Sequence, residues 1–346
     1  MTTEVGKTAL ITGASSGIGR ELATLFAKDG YNLVLVARSE DKLTEVAEHV
    51  RQAYGTSMVT VIEKDLSAPE APQEIYDEVI SKNITVNALV NNAGFGEYGV
   101  FATETDIHKE LSVIQVNVTA LVHLTKLFLK DMVARNEGKI LMLGSIVSIM
   151  PNPLMAVYGA TKSFIYSFSE ALRNETKDTA IGITVLMPPA TDTDFFNKAG
   201  AMNTVAQEMA RSNSPADVAK EGYDALMKGK DKVIAGFTTK LQAAASHILP
   251  DSVVSQATRA QMKDKNEAEE EANRNALAIG IGIAAVAIAG IAIFTLYNNT
   301  STYQRLKYRY KAKELADSAK NSLKSVGDSI TDNVKSATDK AQRAAA

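Results

Sequence analysis

Thr8-Ala-Leu-Ile-Thr12-Gly13-Ala-Ser15-Ser16-Gly17-Ile18-Gly19-Arg20 is an apolar, β-prone run that closes on three spaced glycines and passes straight into an amphipathic segment, Arg20 to Lys28. Glycines at such a junction permit a tight strand-to-helix turn. They also let the backbone approach a pyrophosphate, which then lies at the positive end of the helix. A strand before and a helix after are the context that turns a glycine-rich loop into a dinucleotide signal.

Beyond this stretch, from Lys7 to about Ala235, short β-branched runs alternate with segments of helical length, the pattern of β-α units around a parallel sheet. The expected strands are Thr8 to Thr12, Asn32 to Val36, Met58 to Ile62, Ala88 to Asn91, Lys139 to Leu143, Gly182 to Met187 and Lys232 to Ile234. They predict a doubly wound α/β fold, a seven-stranded parallel sheet with helices on both faces. Ligands of such sheets sit beyond the carboxyl ends of the strands.

About 20 residues past the glycine turn, where a fold of this kind that takes NAD carries an acid, the second expected strand ends in Val36-Ala37-Arg38-Ser39. An arginine there suits a ribose 2′-phosphate, so the reading is NADP(H). Tyr158-Gly-Ala-Thr-Lys162 places a phenol and an ammonium on one helical face at i and i+4. A phenol titrates near pH 10, and a neighbouring cation favours its charged form, so the pair is a proton donor and acceptor. Ser145, just past the fifth expected strand, stands where the sheet opens to ligand and where its hydroxyl can polarise a carbonyl.

Thr12-Gly-x-x-x-Gly-x-Gly19, Asn91-Asn92-Ala93-Gly94, Asn117, Ser145 and Tyr158-x-x-x-Lys162, in this order and spacing, resemble the short-chain dehydrogenase/reductase family. The stretch from Ser145 to Glu170 is similar to its fatty-acyl ketoreductases and hydroxysteroid dehydrogenases. The resemblance spans about Lys7 to Pro250. It implies hydride transfer between a nicotinamide and a carbonyl or alcohol carbon, with the protein supplying orientation and proton transfer. In that scheme Tyr158 moves the proton, Lys162 lowers its pKa and holds the nicotinamide ribose, Ser145 binds the substrate oxygen and Asn117 positions a water. The resemblance also implies cofactor contacts from Gly13, Ser15, Ser16, Gly17, Ile18 and Gly19, from Arg38 and Asp65, and from Asn91, Ala93 and Gly94. Pro188, Thr191 and Thr193 complete the set. The sequence departs from the family where Pro188-Pro189 replaces the usual Pro-Gly, which stiffens a turn beside the nicotinamide. Family habit implies a homo-oligomer.

Substrate preference is read from Thr191 to Asn213, where Phe195, Phe196, Met202, Val205 and Met209 are apolar and adaptable, and from Ile149, Met150, Leu154 and Met155. An apolar, lipid-like ketone or aldehyde is expected. The chain of 346 residues carries a net charge of −3, which offers no field for nucleic acid. It has no cysteine, and His49, His108, His123 and His247 show no metal-ligand spacing, so no metal is expected. No export signal is read at the N-terminus.

The expected division is an oxidoreductase domain over 1–262, a charged linker over 263–275, a membrane-spanning helix over 276–297 and a basic-aromatic, amphipathic tail over 298–346. Ala276 to Tyr297 contains no charged residue, which meets the length for a membrane span. Leu315, Ala319, Leu323, Val326, Ile330, Val334, Ala337 and Ala341 then form a narrow apolar stripe repeating every 11 residues. The leading expectation is a membrane-anchored reductase with its catalytic domain in the cytoplasm. Two other readings are carried: a catalytically silent NADP(H)-binding sensor or scaffold, and an enzyme whose tail self-associates through Ala278, Gly282, Val286 and Gly290.

Overall fold

The computed structural model describes residues 6–246 and 249–266. The expected membrane span and the tail lie outside these residues, as does the linker beyond 266. The unit that carries the site comprises residues up to Lys240 together with Ser255–Lys265.

All seven expected strands form: β1 (Thr8–Thr12), β2 (Asn32–Ala37), β3 (Val59–Glu63), β4 (Val86–Asn91), β5 (Gly138–Leu143), β6 (Ile181–Met187) and β7 (Lys232–Ile234). They pair in parallel in the order β3-β2-β1-β4-β5-β6-β7. All five residues of β1 are buried, as a central strand covered on both faces requires. The helices are α1 (Gly17–Lys28), α2 (Glu40–Tyr54), α3 (Ala71–Ser81), α4 (Ile107–Ile114), α5 (Leu121–Arg135), α6 (Ala156–Glu175), α7 (Phe195–Ala199), α8 (Val205–Ala210), α9 (Pro215–Met227), α10 (Phe237–Ser246) and α11 (Asp251–Gln261).

Alternate residues of each strand point to opposite faces, so the sheet carries two cores. Ala9, Ile11, Leu33 and Leu35 meet Leu22 and Phe26 of α1, Leu43 of α2 and Leu226 of α9. Leu10, Val34, Leu89 and Ile140 meet Ile75 of α3, Leu124 and Phe128 of α5 and Ile165 of α6.

The strand order reverses between β1 and β4, and the crevice at their carboxyl ends is where a doubly wound sheet binds ligand. Among the described residues one helical stretch, 107–135, is long and apolar enough to cross a membrane by length and composition. Its Leu121, Leu124, Phe128 and Met132 sit in the second core, so here it serves as an interior helix.

Candidate active site

The glycine turn is clamped between the two central strands. Gly13 and Gly17 adopt left-handed backbone, with φ of 67° and 55°. Gly19 is required by proximity instead, since a Cβ there would lie 2.2 Å from the Gly13 carbonyl oxygen. Asn92, which follows β4, braces the turn by donating its Nδ2 to the carbonyls of Thr12 and Gly13, at 2.9 and 3.2 Å. The Thr12 hydroxyl accepts the N–H groups of Asn92 and Ala93, both at 3.0 Å. Ser16 begins α1 without capping it through its side chain, and no acid occupies the first helical turn. The helix therefore keeps free donors and an uncompensated positive end, which fits a phosphate. Ser15 is half-buried in the same turn. Ile18 points into the first core.

Arg38 and Asp65 stand at the carboxyl ends of β2 and β3, with Arg38 Nη1 4.0 Å from Asp65 Oδ2. Both side chains are largely exposed, so the pair binds weakly and leaves the guanidinium available to an anion. Asn91 turns away from the turn. Its Nδ2 donates to Thr125 Oγ1 at 2.9 Å, and its buried Oδ1 has no hydrogen-bond partner.

The four expected catalytic residues converge past the ends of β4 and β5. Ser145 caps a 3-10 turn, Ile146–Ile149, with its Oγ accepting the Val147 N–H at 3.3 Å while Ser148 Oγ accepts the Ser145 N–H at 3.1 Å. This reciprocal cap holds the Ser145 oxygen in one place. Tyr158 lies in the first turn of α6, and Lys162 follows one turn later, its Nζ 5.6 Å from the Tyr158 ring centre. Lys162 Nζ also donates to the Leu143 carbonyl at 2.8 Å, which anchors the lysine to the end of β5.

Asn117 sits in a π-helical turn, Gln115–Ala120, inserted between α4 and α5. Such insertions widen a helix locally and recur at functional sites. Its Nδ2 donates to the Phe95 carbonyl at 2.9 Å and to Thr161 Oγ1 at 3.1 Å, and its Oδ1 accepts the Phe95 N–H at 3.1 Å. Thr161 donates in turn to the Tyr158 carbonyl at 2.7 Å. A Cβ on Gly94 would lie 3.0 Å from Asn117 Oδ1 and 3.5 Å from Lys162 Nζ, so the backbone after β4 runs over both.

The titrations differ from the expectation that the ammonium pulls the phenol down. Burial pushes Tyr158 up to about 12, and the hydrogen bond with Ser145 pulls it the other way. Burial likewise holds Lys162 down to about 7. Withdrawal from water is the largest influence on both groups.

The segment after β6 closes the site. The Ile146 N–H donates to the Pro188 carbonyl at 2.9 Å, and Thr191, buried, donates to the Pro189 carbonyl at 2.8 Å. A Cβ on Gly17 would meet the Thr193 methyl at 2.9 Å, which places the start of this segment against the glycine turn. Of the expected apolar residues, Met150, Met155 and Phe196 are buried, whereas Met202 and Met209 are exposed. A depression of about 440 Å³ lies beside α7 and α8, lined in part by Asp192, Thr193, Phe196 and Met202. It touches none of the four catalytic residues.

Sequence reading left three contributors unassigned: Asn92 as the brace of the turn, Thr161 as the partner of Asn117, and Gly96. A Cβ on Gly96 would meet Met155 at 2.5 Å, Tyr158 at 3.2 Å and Phe195 at 3.3 Å. Asn92 lay inside a quoted motif, and Thr161 precedes Lys162 directly. Which asparagine turns inward depends on strand register, which residue types do not show.

The family model described as short chain dehydrogenase matches residues 7–204. The chain belongs to the short-chain dehydrogenase family. It is accordingly an oxidoreductase acting on CH–OH or C=O groups. It is 31% identical over 256 residues to the very-long-chain 3-oxoacyl-CoA reductase of Rattus norvegicus, covering 72% of this chain and 75% of that protein. It is 35% identical over 190 residues to the 17-beta-hydroxysteroid dehydrogenase type 3 of Mus musculus, covering 53% of this chain and 60% of that one. Among solved structures, the short-chain dehydrogenase from Sphingobium yanoikuyae in complex with NADPH superposes with a TM-score of 0.61 at 30% identity, covering 66% of this chain and 87% of the other.

Proposed function

We propose that this short-chain dehydrogenase reduces an apolar, lipid-like ketone or aldehyde with NADPH, using Tyr158 as the proton donor. The observation that carries the reading is the convergence past the ends of β4 and β5 of Ser145, held by its reciprocal cap, with Tyr158, Lys162, whose Nζ lies 5.6 Å from the Tyr158 ring centre, and Asn117, bonded to Thr161 one residue before Lys162. When bound, the nicotinamide supplies the hydride.

The residues present fit the cofactor. The glycine turn leaves no room for a Cβ at Gly13, Gly17 or Gly19, the start of α1 keeps its donors, and Arg38 offers a guanidinium at the end of β2. Ser15, Ser16 and Ile18 would shape the pyrophosphate turn, and Asp65 would meet the adenine. Asn91, Ala93 and Gly94 would line the cofactor's side of the site after β4. Pro188, Thr191 and Thr193 would contact the bound cofactor, and Lys162 would hold its nicotinamide ribose. Arg38 favours a 2′-phosphate, and thus NADP(H) over NAD, because it forms strong charge-assisted hydrogen bonds to phosphate oxygens. Some structures of the fold hold NADPH, and one from Burkholderia phymatum holds NAD, so the Arg38 argument carries the preference.

In the reducing direction Ser145 donates a hydrogen bond to the substrate carbonyl oxygen and Tyr158 delivers the proton that completes the alcohol. Lys162 returns a proton toward the phenol through a water that Asn117 positions, with Thr161 and the Phe95 backbone fixing the Asn117 amide. The apolar substrate class is supported by Phe195, Phe196 and Met155 beside Tyr158, and by relatives named for long-chain oxoacyl and steroid chemistry.

The division into a catalytic domain over 1–262, a linker over 263–275, a membrane helix over 276–297 and a surface-seeking tail over 298–346 belongs to the same proposal. It places a membrane-anchored, homo-oligomeric enzyme with its active site in the cytoplasm. Its support is the uncharged run Ala276 to Tyr297 together with the cytosolic supply of NADP(H).

The test is oxidation of NADPH and of NADH by the full-length protein in detergent, across short, aromatic, steroid and long-chain ketones. NADPH-selective turnover rising with apolar substrate size is expected. Tight NADPH binding with no turnover on any ketone contradicts the reading and favours a silent sensor.

A further inference from the structure

We propose that the segment Met262–Lys265 is a latch on the substrate lid, and that Met262 limits how large a ketone the cleft accepts; this rests on the hydride-transfer reading above. The lid is the pair of short helices α7 and α8 with the link Gly200–Thr204 between them. Helices of five and six residues do not hold themselves together in water, so the lid must borrow its order from neighbours.

Those neighbours lie about 60 residues further along the chain. The Val205 N–H donates to the Lys263 carbonyl at 3.2 Å and the Lys265 N–H to the Asn203 carbonyl at 2.8 Å. Thr204 and Asp264 form an antiparallel bridge between them. The latch is pinned at Met262, whose carbonyl accepts from the Tyr98 hydroxyl at 2.8 Å, and α11, which leads into it, is tied by Thr258 Oγ1 donating to the Pro151 carbonyl at 2.9 Å. Tyr98 and Gly99 are themselves tied by their N–H groups to Ala199, at 3.0 Å, and to Leu154, at 2.9 Å. One segment thus joins the lid, the loop after β4 and the loop before α6, which are the three chain segments around Tyr158.

Packing gives the same segment a chemical role. Met262, 6% exposed, belongs to a small apolar cluster separate from both sheet cores, with Met155, Phe196, Ala199, Ala201 and Ala206. Tyr158 and Phe195 pack against this cluster. The cluster is rich in alanine, so Met262 and Met155 supply much of its flexible bulk. An unbranched thioether can yield to a chain or ring pressed against it. A hydrocarbon entering beside Tyr158 meets this wall, and its thickness is set by Met262.

Two variants of the full-length protein test the latch. Tyr98→Phe removes the hydroxyl while keeping the ring, and Met262→Ala thins the wall. Trypsin cleavage at Lys198 and Arg211, both exposed on the lid, reads the latch without reference to activity, and NADPH fluorescence titration reads the cofactor site. Tyr98→Phe should speed lid cleavage several-fold at unchanged NADPH affinity. Met262→Ala should raise kcat/KM for the bulkiest ketones relative to the smallest by roughly tenfold, the low end of what one methylene is worth in an apolar pocket. An equal change on every ketone makes Met262 a packing residue only, and unchanged lid cleavage removes the latch. If Tyr98→Phe does not fold, Lys265→Pro deletes the donor to Asn203 outside the cluster and is read in the same way. If the wild type turns over no ketone, the hydride-transfer reading fails while the cleavage rates still decide the latch.

Discussion

The glycine turn and the lid are held by different means. The turn is fixed by backbone: left-handed glycines, a buried threonine and an asparagine whose amide reaches two carbonyls, all anchored to the ends of β1 and β4. The lid consists of two short helices held by a distant segment, with Met202 and Met209 on its outer surface. A cofactor common to a whole family can be bound by backbone geometry, which tolerates few residues. A substrate that varies within the family is met by side chains on elements that can shift.

That contrast can be broken most severely at Gly19. Gly19→Ala puts a methyl 2.2 Å from the Gly13 carbonyl oxygen and 2.4 Å from Asn92 Nδ2. A cost of about 3 kcal/mol or more is expected from such overpacking of fixed backbone. NADPH titration should show affinity falling by more than about 100-fold, a loss of roughly 2.7 kcal/mol, together with a lower melting temperature. Normal binding in this variant would mean the turn is as adaptable as the lid.

Arg38→Ala sharpens the comparison on the cofactor side. Losing charge-assisted bonds worth about 1.5–3 kcal/mol to a 2′-phosphate should weaken NADPH roughly 10- to 100-fold while leaving NADH within about twofold. Equal losses for both cofactors would assign Arg38 to general electrostatics.

Lys162 gives a pH signature. Its ammonium titrates at about 7 in the folded chain against 10.5 ordinarily, so between these values the unfolded chain binds more protons than the native one. Native stability therefore rises with pH from 7 to 10.5, and below 7 the whole cost of the buried charge is present. Lys162→Met removes that cost at the expense of one hydrogen bond to Leu143. It should melt higher than wild type at pH 6, by on the order of 2 kcal/mol, with the gap closing toward pH 10. A constant gap across that range would show that burial is not what holds the lysine down.

The smallest effect is expected at Thr161, which orders the site without meeting substrate. Thr161→Val should lower kcat by roughly fivefold, about one hydrogen bond, and shift the pH profile. Thr161→Ser should stay within about twofold. Loss of melting temperature in both variants without any change in the profile would leave Thr161 a packing residue.

The sequence revealed the two sides unequally, for the same physical reason. Every strand was placed to within two residues, because β-branched runs and glycine turns follow from local chemistry. Tyr158, Lys162 and Ser145 were legible because one helix turn and one strand end fix their spacing, whereas Asn117 came from the family resemblance alone. Asn92 was overlooked in favour of Asn91, since which of two adjacent side chains faces the turn depends on register across the sheet. The π-helical turn around Asn117 and the partnership with Thr161 arise from packing of α4 and α5 on α6, which no local pattern announces. The latch was hidden for the plainest reason: Tyr98 and Met262 are separated by 164 positions. The depth at which Tyr158 is buried, which pushes its pKa upward, does not follow from the i, i+4 spacing with Lys162.

The central claim is that Tyr158 moves the proton at a site whose cofactor half is built independently of it. The most direct measurement pairs NADPH binding with single-turnover ketone reduction in Tyr158→Phe full-length protein. The account predicts an unchanged NADPH affinity with reduction slowed by about 10²- to 10⁴-fold, the usual worth of a positioned acid. Reduction at the wild-type rate would contradict it.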